Sequence, residues 1–101
     1  MSILVTGTID FDPSKRDAAI AAVTACMEAT QAEDGCERYV FSGDLVDQGR
    51  LYVSEQWASQ EAMDVHMATP HLAALLTSMG SFGVTAASLT KWDGATPSKL
   101  M

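Results

Sequence analysis

The chain has 101 residues, of which 48% are hydrophobic and 19% charged, and its formal net charge is −7. The length predicts a single domain spanning 1–101, and the composition excludes a disordered chain. No apolar stretch approaches the roughly 20 residues that cross a bilayer, and the negative charge opposes binding to nucleic acid or to anionic membranes. The N-terminal residues lack the basic segment of a signal peptide, so we expect a cytoplasmic protein.

The first two predicted elements are a strand and a helix. Period-two alternation of β-branched residues predicts a strand from Ile3 to Phe11. Within it, Gly7 has no side chain, which predicts that a neighbouring segment approaches closely there. Asp12-Pro13 is typical of a helix start, and an Ala-rich amphipathic helix is expected to continue to about Ala32.

The remaining elements are three strands and two short helices. The strands are expected at Cys36 to Ser42, Leu51 to Trp57 and Val84 to Trp92, and the short connection between the first two predicts a hairpin. Helices are expected from Ser59 to about Met67 and from Thr69-Pro70 to about Met79. Each begins with a capping residue, and the second also has proline in its first turn.

This order of elements, β-α-β-β-α-β, predicts an α+β fold of the ferredoxin-like type, with a four-stranded antiparallel sheet and the helices on one face. Residues 93–101 are expected to form a mobile or partner-docking tail. Apolar residues such as Leu4, Tyr52 and Leu89 fall on both faces of the predicted sheet. Because an uncovered apolar face is larger than monomers usually tolerate, we predict a homodimer in which two sheets pack together.

The two histidines of the chain, His66 and His71, lie on either side of Thr69-Pro70. His66 is at the end of one predicted helix and His71 at the start of the next, so the helix dipoles act on them in opposite directions. Two imidazoles in opposite fields suit an acid and a base near neutral pH. The alternative is that one or both only cap a helix or lie on the surface.

Five further residues are candidates for substrate binding. Trp57 is either a pocket wall or a core residue. Glu55 shares its strand face, and a buried carboxylate there needs a partner or a raised pKa, whereas an outward one is only a solvated charge. Met63 and Met67, one helical turn apart, either fill the core or line a soft apolar pocket. Tyr39 is a polar group that reaches the rim of such a pocket.

Sequence motifs for other chemistries are absent. There is no Gly-x-Gly-x-x-Gly, P-loop or nucleophile elbow. The two histidines have no suitable third ligand nearby in sequence, and Cys26 and Cys36 lack the spacing of a zinc site. We therefore expect no metal and no cofactor, and chemistry that depends on acid–base groups in a shaped pocket.

A combined pattern runs through nearly the whole chain. Its parts are Glu33 to Tyr39 (EDGCERY), Glu55 to Ser59 (EQWAS), Ala62, His66 and Thr69-Pro70-His71. This pattern resembles the antibiotic biosynthesis monooxygenase domain family, and the quinol-monooxygenase-like members in particular. The resemblance implies a dimeric α+β barrel of ferredoxin-like subunits, each with a pocket between its sheet and helices.

The resemblance also implies a cofactor-independent monooxygenase that uses O₂ and a quinol, anthrone or related small aromatic. In such an enzyme, removal of a proton makes the substrate electron-rich enough to reduce O₂ directly. His66 is the implied base or hydrogen-bond donor, and His71, Trp57 and Tyr39 are implied as pocket or supporting residues. Two alternatives remain: a cofactor-free isomerase or tautomerase of a small ketone, and a non-catalytic ligand-binding or stress-response dimer.

Overall fold

The computed structural model describes residues 2–101, and its order of elements is the predicted one. Seven main elements are present within these residues: β1 (Ser2–Phe11), α1 (Arg16–Gln31), β2 (Cys36–Gly43), β3 (Arg50–Trp57), α2 (Gln60–Met67), α3 (Pro70–Met79) and β4 (Val84–Ala95). The α+β, ferredoxin-like prediction is confirmed. Within the described residues, no helix is long and apolar enough to cross a membrane.

The four strands form one antiparallel sheet in the order β2-β3-β1-β4. Gly7 of β1 pairs with Val53 on one side and with Leu89 on the other. A Cβ atom at Gly7 would collide with the main chain of Ser88 and Leu89. The close approach predicted at this glycine is therefore confirmed, and its cause is the pairing of β1 with β4.

The bounds of two elements differ from the sequence prediction. Asp12 caps a short 3-10 turn, Pro13–Lys15, and its Oδ1 accepts from the main-chain N–H of Ser14 at 3.0 Å, so that the α-helix proper begins only at Arg16. At the other end of the chain, β4 continues to Ala95 because that residue pairs with Ser2. Three residues predicted as part of the tail, 93–95, therefore belong to the sheet.

The helices cover one face of the sheet, and the core lies beneath them. It is built from buried side chains of β1, β2, β3, α1 and α3, among them Ile9, Phe11, Val23, Leu51, Val53, Leu72 and Leu75. On α1 the buried stripe consists of Ala19, Val23, Cys26 and Thr30. These residues recur every three or four positions, as one face of a helix requires.

The opposite face of the sheet has no covering layer within the described chain. Val40, Tyr52 and Trp92 are between 38% and 54% exposed on this face. Polar residues such as Thr6 and Ser54 lie between them. The uncovered face is therefore a mixture of polar and apolar side chains, and it is less continuously apolar than the sequence analysis expected.

Candidate active site

A cavity of about 330 Å³ lies between the helix-covered face of the sheet and the helices α2 and α3. This volume is at the lower end of the range of small-molecule sites. Most of its lining is apolar: Val5, Ile9, Tyr39, Phe41, Met63, Met67, Leu72, Leu75, Leu76, Met79 and Leu89. Met67, Leu76 and Leu89 are about half exposed, so the cavity opens to the surface between α3 and β4.

Two buried polar side chains face this apolar lining, Glu55 from β3 and His66 from α2. Glu55 lies on the buried face of its strand, which answers the question that the sequence pattern left open. Burial raises the pKa of its carboxyl, while the hydrogen bond from Trp57 acts against this rise. The cavity therefore offers two proton-handling groups in an otherwise apolar surface.

His66 is held by a carboxylate that the sequence analysis did not select. Its Nδ1 lies 2.8 Å from Oε2 of Glu33, and Nε2 of His71 lies 2.8 Å from the same oxygen. Glu33 belongs to the turn that follows α1, 33 positions before His66. In the sequence, Glu33 is named only as the first residue of the family pattern, and no third metal ligand is found because Glu33 is not near the histidines in sequence.

The contact with Glu33 determines which nitrogen of His66 is available for chemistry. A carboxylate oxygen only accepts hydrogen bonds, so the proton lies on Nδ1 of His66 and is donated to Glu33. Nε2 is then the unprotonated nitrogen of the neutral ring, and it is the one left for the cavity that His66 lines. A carboxylate that orients an imidazole in this way is the arrangement found behind histidine general bases.

Two aromatic rings fix the plane of the His66 imidazole. The ring of Trp57 lies 4.7 Å from it at an angle of 33°, and the ring of Tyr39 lies 5.0 Å from it at 63°. The indole N–H of Trp57 in turn donates to Oε1 of Glu55 at 3.0 Å. One connected set of side chains therefore positions both polar groups of the cavity.

Tyr39 contributes its ring rather than its hydroxyl to the cavity wall. The hydroxyl lies 3.6 Å from Sγ of Cys26, a buried residue of α1. Burial strongly raises the pKa of Tyr39, so its phenol remains protonated at any physiological pH. Tyr39 is accordingly an aromatic wall and a support for His66, and it cannot serve as a base.

The positions of the two histidines follow from the caps predicted in the sequence. Oγ of Ser59 accepts from the N–H of Ala62 at 3.1 Å, and Oγ1 of Thr69 accepts from the N–H of Leu72 at 3.4 Å. These caps begin α2 and α3, placing His66 in the last turn of one helix and His71 in the first turn of the next. Their ring centres are 6.1 Å apart.

The sequence of the chain matches the model of a known protein family. The family model described as antibiotic biosynthesis monooxygenase matches residues 2–77. The chain belongs to the antibiotic biosynthesis monooxygenase family. It is 37% identical over 59 residues to Rv0793 of Mycobacterium tuberculosis, described as a candidate monooxygenase, a match that covers 58% of this chain and 57% of that protein.

Solved structures of related proteins have the same fold as this chain. A crystal structure from Deinococcus radiodurans, described as a candidate antibiotic biosynthesis monooxygenase, superimposes with a TM-score of 0.89 at 24% identity and covers 98% of both chains. The structure of Rv0793 superimposes with a TM-score of 0.85 at 25% identity, covering 98% of this chain and 100% of that one. By sequence, the protein sll1783 of Synechocystis is 32% identical over 69 residues, 68% of this chain and 47% of its own length. The chain thus spans about half the length of the curated relatives it matches.

In this member of the antibiotic biosynthesis monooxygenase family, five of the seven residues selected from sequence line the cavity: Tyr39, Glu55, Met63, His66 and Met67. The other two, Trp57 and His71, lie outside its lining. Trp57 is fully buried behind the imidazole of His66, and His71 shares the carboxylate of Glu33. Both therefore act on the cavity only through another residue.

Proposed function

We propose that this protein is a cofactor-independent monooxygenase that oxidises a small, electron-rich aromatic of the quinol or anthrone class. The observation that carries the proposal is the 2.8 Å contact between Nδ1 of His66 and the carboxylate of Glu33, at the wall of an apolar cavity. When Nδ1 of the neutral ring donates to this carboxylate, Nε2 is the nitrogen that can accept a proton from a substrate. Membership of the antibiotic biosynthesis monooxygenase family supports the same reaction class.

The reaction begins when Nε2 of His66 removes a proton from a hydroxyl or an activated C–H of the substrate. The resulting anion is oxidised by O₂, and a new C–O bond forms at the ring. One oxygen atom enters the product, which is a hydroxyquinone from a quinol or a quinone from an anthrone, and the other leaves as water. The substrate supplies all four electrons that O₂ accepts and both hydrogens of the water, so the balance needs no other reductant.

The surroundings of His66 support each step of this reaction. An apolar lining offers water few hydrogen-bond partners beside the reactive anion and partly reduced oxygen. Trp57 and Tyr39 keep the imidazole in place while its charge changes. Glu55, whose pKa is raised by burial, is the second group through which a proton can pass to the departing oxygen.

Oxygen uptake with menadiol and with anthrone tests the proposal. We expect the wild-type protein to consume O₂ faster than the uncatalysed autoxidation, and His66→Ala to lose roughly 10²- to 10⁴-fold of that rate, as is usual when a general base is removed. Val65→Ala is the matched control, because Val65 precedes His66 on α2 and is 66% exposed. If His66→Ala and wild type have the same rate, His66 is not the base. If anaerobic incubation of a ketone substrate gives turnover instead, the protein is an isomerase.

We further propose that the protein works as a homodimer. The support is β4, which contains no buried residue over its whole length. Leu89 on its helix-side face and Trp92 on the opposite face are 48% and 54% exposed. A second copy that covers this strand would remove both from water and would close the open side of the cavity.

Light scattering at micromolar concentration tests the dimer. We expect a mass of twice the 10.7 kDa of one chain for wild type, and the mass of one chain for Trp92→Lys. Leu45→Lys is the control, because Leu45 is 97% exposed in the loop between β2 and β3, away from β4. A mass of 10.7 kDa for the wild-type protein would refute the dimer.

A further inference from the structure

We propose that Glu33, His66 and His71 together bind one divalent transition-metal ion of the Zn²⁺ and Co²⁺ class. One carboxylate oxygen and two imidazole nitrogens from these residues all lie within 4.8 Å of one another. They come from three different elements: the turn after α1, the end of α2 and the start of α3. His66 is buried, whereas the side chain of His71 is 25% exposed, so the cluster can be reached from solvent.

The types and spacing of these groups suit such an ion. Two histidines and one glutamate are a known zinc-ligand set, and imidazole nitrogen favours transition metals over Mg²⁺ and Ca²⁺. Ligand atoms around a tetrahedral zinc ion lie roughly 3.4 Å apart, given metal–ligand distances of about 2.1 Å. Both nitrogens now lie 2.8 Å from Oε2 of Glu33, so the carboxylate has to withdraw by roughly 0.6 Å to admit the ion.

The second oxygen of Glu33 is an independent sign that the cluster is incomplete. Oε1 of Glu33 is buried and has no hydrogen-bond partner among residues 2–101. A buried carboxylate oxygen without a donor is costly, and native proteins rarely leave one unsatisfied. A cation bound at Oε2 would also stabilise the negative charge on Oε1, which no donor of the described residues does.

The location of the cluster determines what a bound ion would do. Glu33 and His71 do not line the cavity, and His66 meets them through Nδ1. The ion would therefore lie behind the imidazole of His66, out of reach of a substrate in the cavity. With a metal on Nδ1, the neutral ring carries its proton on Nε2 and can no longer accept one from the substrate. Bound metal would thus inhibit the reaction, a consequence that rests on the proposed function, whereas the binding itself does not.

Titration of the untagged, metal-free protein with Co²⁺, followed by visible absorption and by calorimetry, tests the binding. We expect one ion per chain and a tetrahedral spectrum for wild type, no heat with Mg²⁺, and affinity reduced by more than about tenfold in Glu33→Gln and in His71→Gln. Asp34→Asn is the matched control, because Asp34 is an exposed acid in the same turn. Cys36→Ser is a second control, because Cys36 is a half-buried free thiol close to Glu33 in the chain.

The Co²⁺ titrations of wild type and variants can overturn the proposal in two ways. Equal Co²⁺ affinity of wild type, Glu33→Gln and His71→Gln would overturn the proposal, and so would loss of binding in Cys36→Ser alone. If Glu33→Gln does not fold, the partly exposed His71 still gives the answer through His71→Gln.

Oxygen uptake then tests the consequence for catalysis. One equivalent of Zn²⁺ should reduce the rate of the metal-free wild type at least tenfold, EDTA should restore it, and His71→Gln should keep most of its own metal-free rate. A higher rate of O₂ uptake after addition of Zn²⁺ or Fe²⁺ would contradict the proposal that the ion binds at Nδ1 of His66, out of reach of the substrate. If the wild type consumes no O₂ at all, the proposed function fails, and the Co²⁺ titration still decides whether the site exists.

Discussion

Two tryptophans in the strands on either side of β1 have opposite surroundings. Trp57 at the end of β3 donates its indole N–H to Glu55 at 3.0 Å and is completely buried. Trp92 in β4 donates its indole N–H to Thr6, also at 3.0 Å, and is 54% exposed. Both residues donate an indole hydrogen bond, so that bond does not determine burial; the strands differ, because β3 is paired on both sides and β4 on one side only.

The difference is in the layer that covers each residue. Trp57 lies beneath α2, where the rings of His66 and Tyr39 pack against it. Trp92 lies on the face of the sheet that no helix covers. The Trp57 region is therefore complete within one chain, whereas the Trp92 region pairs with β1 on one side only and has no covering layer of its own.

The largest expected effect compares the two tryptophans directly. Trp57→Ala should lower the free energy of unfolding by about 3–5 kcal/mol, because it leaves a large cavity in the core. Trp92→Ala should cost less than about 1 kcal/mol under conditions in which the chain is monomeric, because its side chain is already half in water. Urea denaturation of both variants measures the difference. Equal losses of unfolding free energy in the two variants would mean that burial beneath α2 does not make Trp57 more important for stability than Trp92.

The next effect concerns the main-chain pairing on which the Trp92 region depends. Gly7→Ala should cost about 1–3 kcal/mol in urea denaturation, because a Cβ atom there collides with the main chain of β4 and forces the strands apart. Gly80→Ala is the control, because the nearest atom to a Cβ at that position is the carbonyl oxygen of Thr77 at 3.7 Å, an ordinary contact. A Gly7→Ala protein as stable as wild type would show that β4 can move away from β1 at no cost.

The smallest effect concerns the hydrogen-bond acceptors of the two tryptophans, which are a buried carboxyl for Trp57 and a hydroxyl for Trp92. Because burial raises the pKa of Glu55, the folded protein binds this proton more tightly than the unfolded chain does. The charged carboxylate therefore costs stability as pH rises above the ordinary pKa of 4.5. Glu55→Gln keeps an acceptor for the Trp57 N–H, and it should be more stable than wild type at pH 7 by on the order of 1 kcal/mol.

Urea midpoints at pH 7 and at pH 4 check this prediction, since the advantage of Glu55→Gln should nearly disappear at the lower pH. Glu37→Gln on the exposed surface of β2 serves as the control and should change little at either pH. An equal advantage of Glu55→Gln at both pH values would show that the gain has another origin than the charge.

The elements of the fold could be predicted from sequence because their signals are local. Period-two strands and the caps at Ser59 and Thr69 each lie within a few residues of the feature they define. The end of β4 at Ala95 depends instead on pairing with Ser2 at the other end of the chain, which no local pattern records.

The candidate site could be predicted only in part, because contacts between residues far apart in the sequence leave no local signal. His66 was found because it is one of only two histidines and lies beside the helix start at Thr69-Pro70, and Glu55 because it shares a strand face with Trp57. Glu33 was missed because its contact with His66 spans 33 positions and is created by the packing of α2 against the turn after α1. Trp57 was predicted to be either a pocket wall or a core residue, and its position behind the imidazole of His66 could not be read from the alternation of β3.

Thr69 has a mechanical consequence for the two histidines. Its hydroxyl donates to the carbonyl oxygen of His66 at 2.7 Å and accepts from the N–H of Leu72, so one side chain joins the end of α2 to the first turn of α3. One hydroxyl therefore sets how the end of α2 and the start of α3 lie relative to each other, and with them the two imidazoles. Because both imidazoles contact the same oxygen of Glu33, the junction at Thr69 determines whether that single carboxylate oxygen can serve both rings.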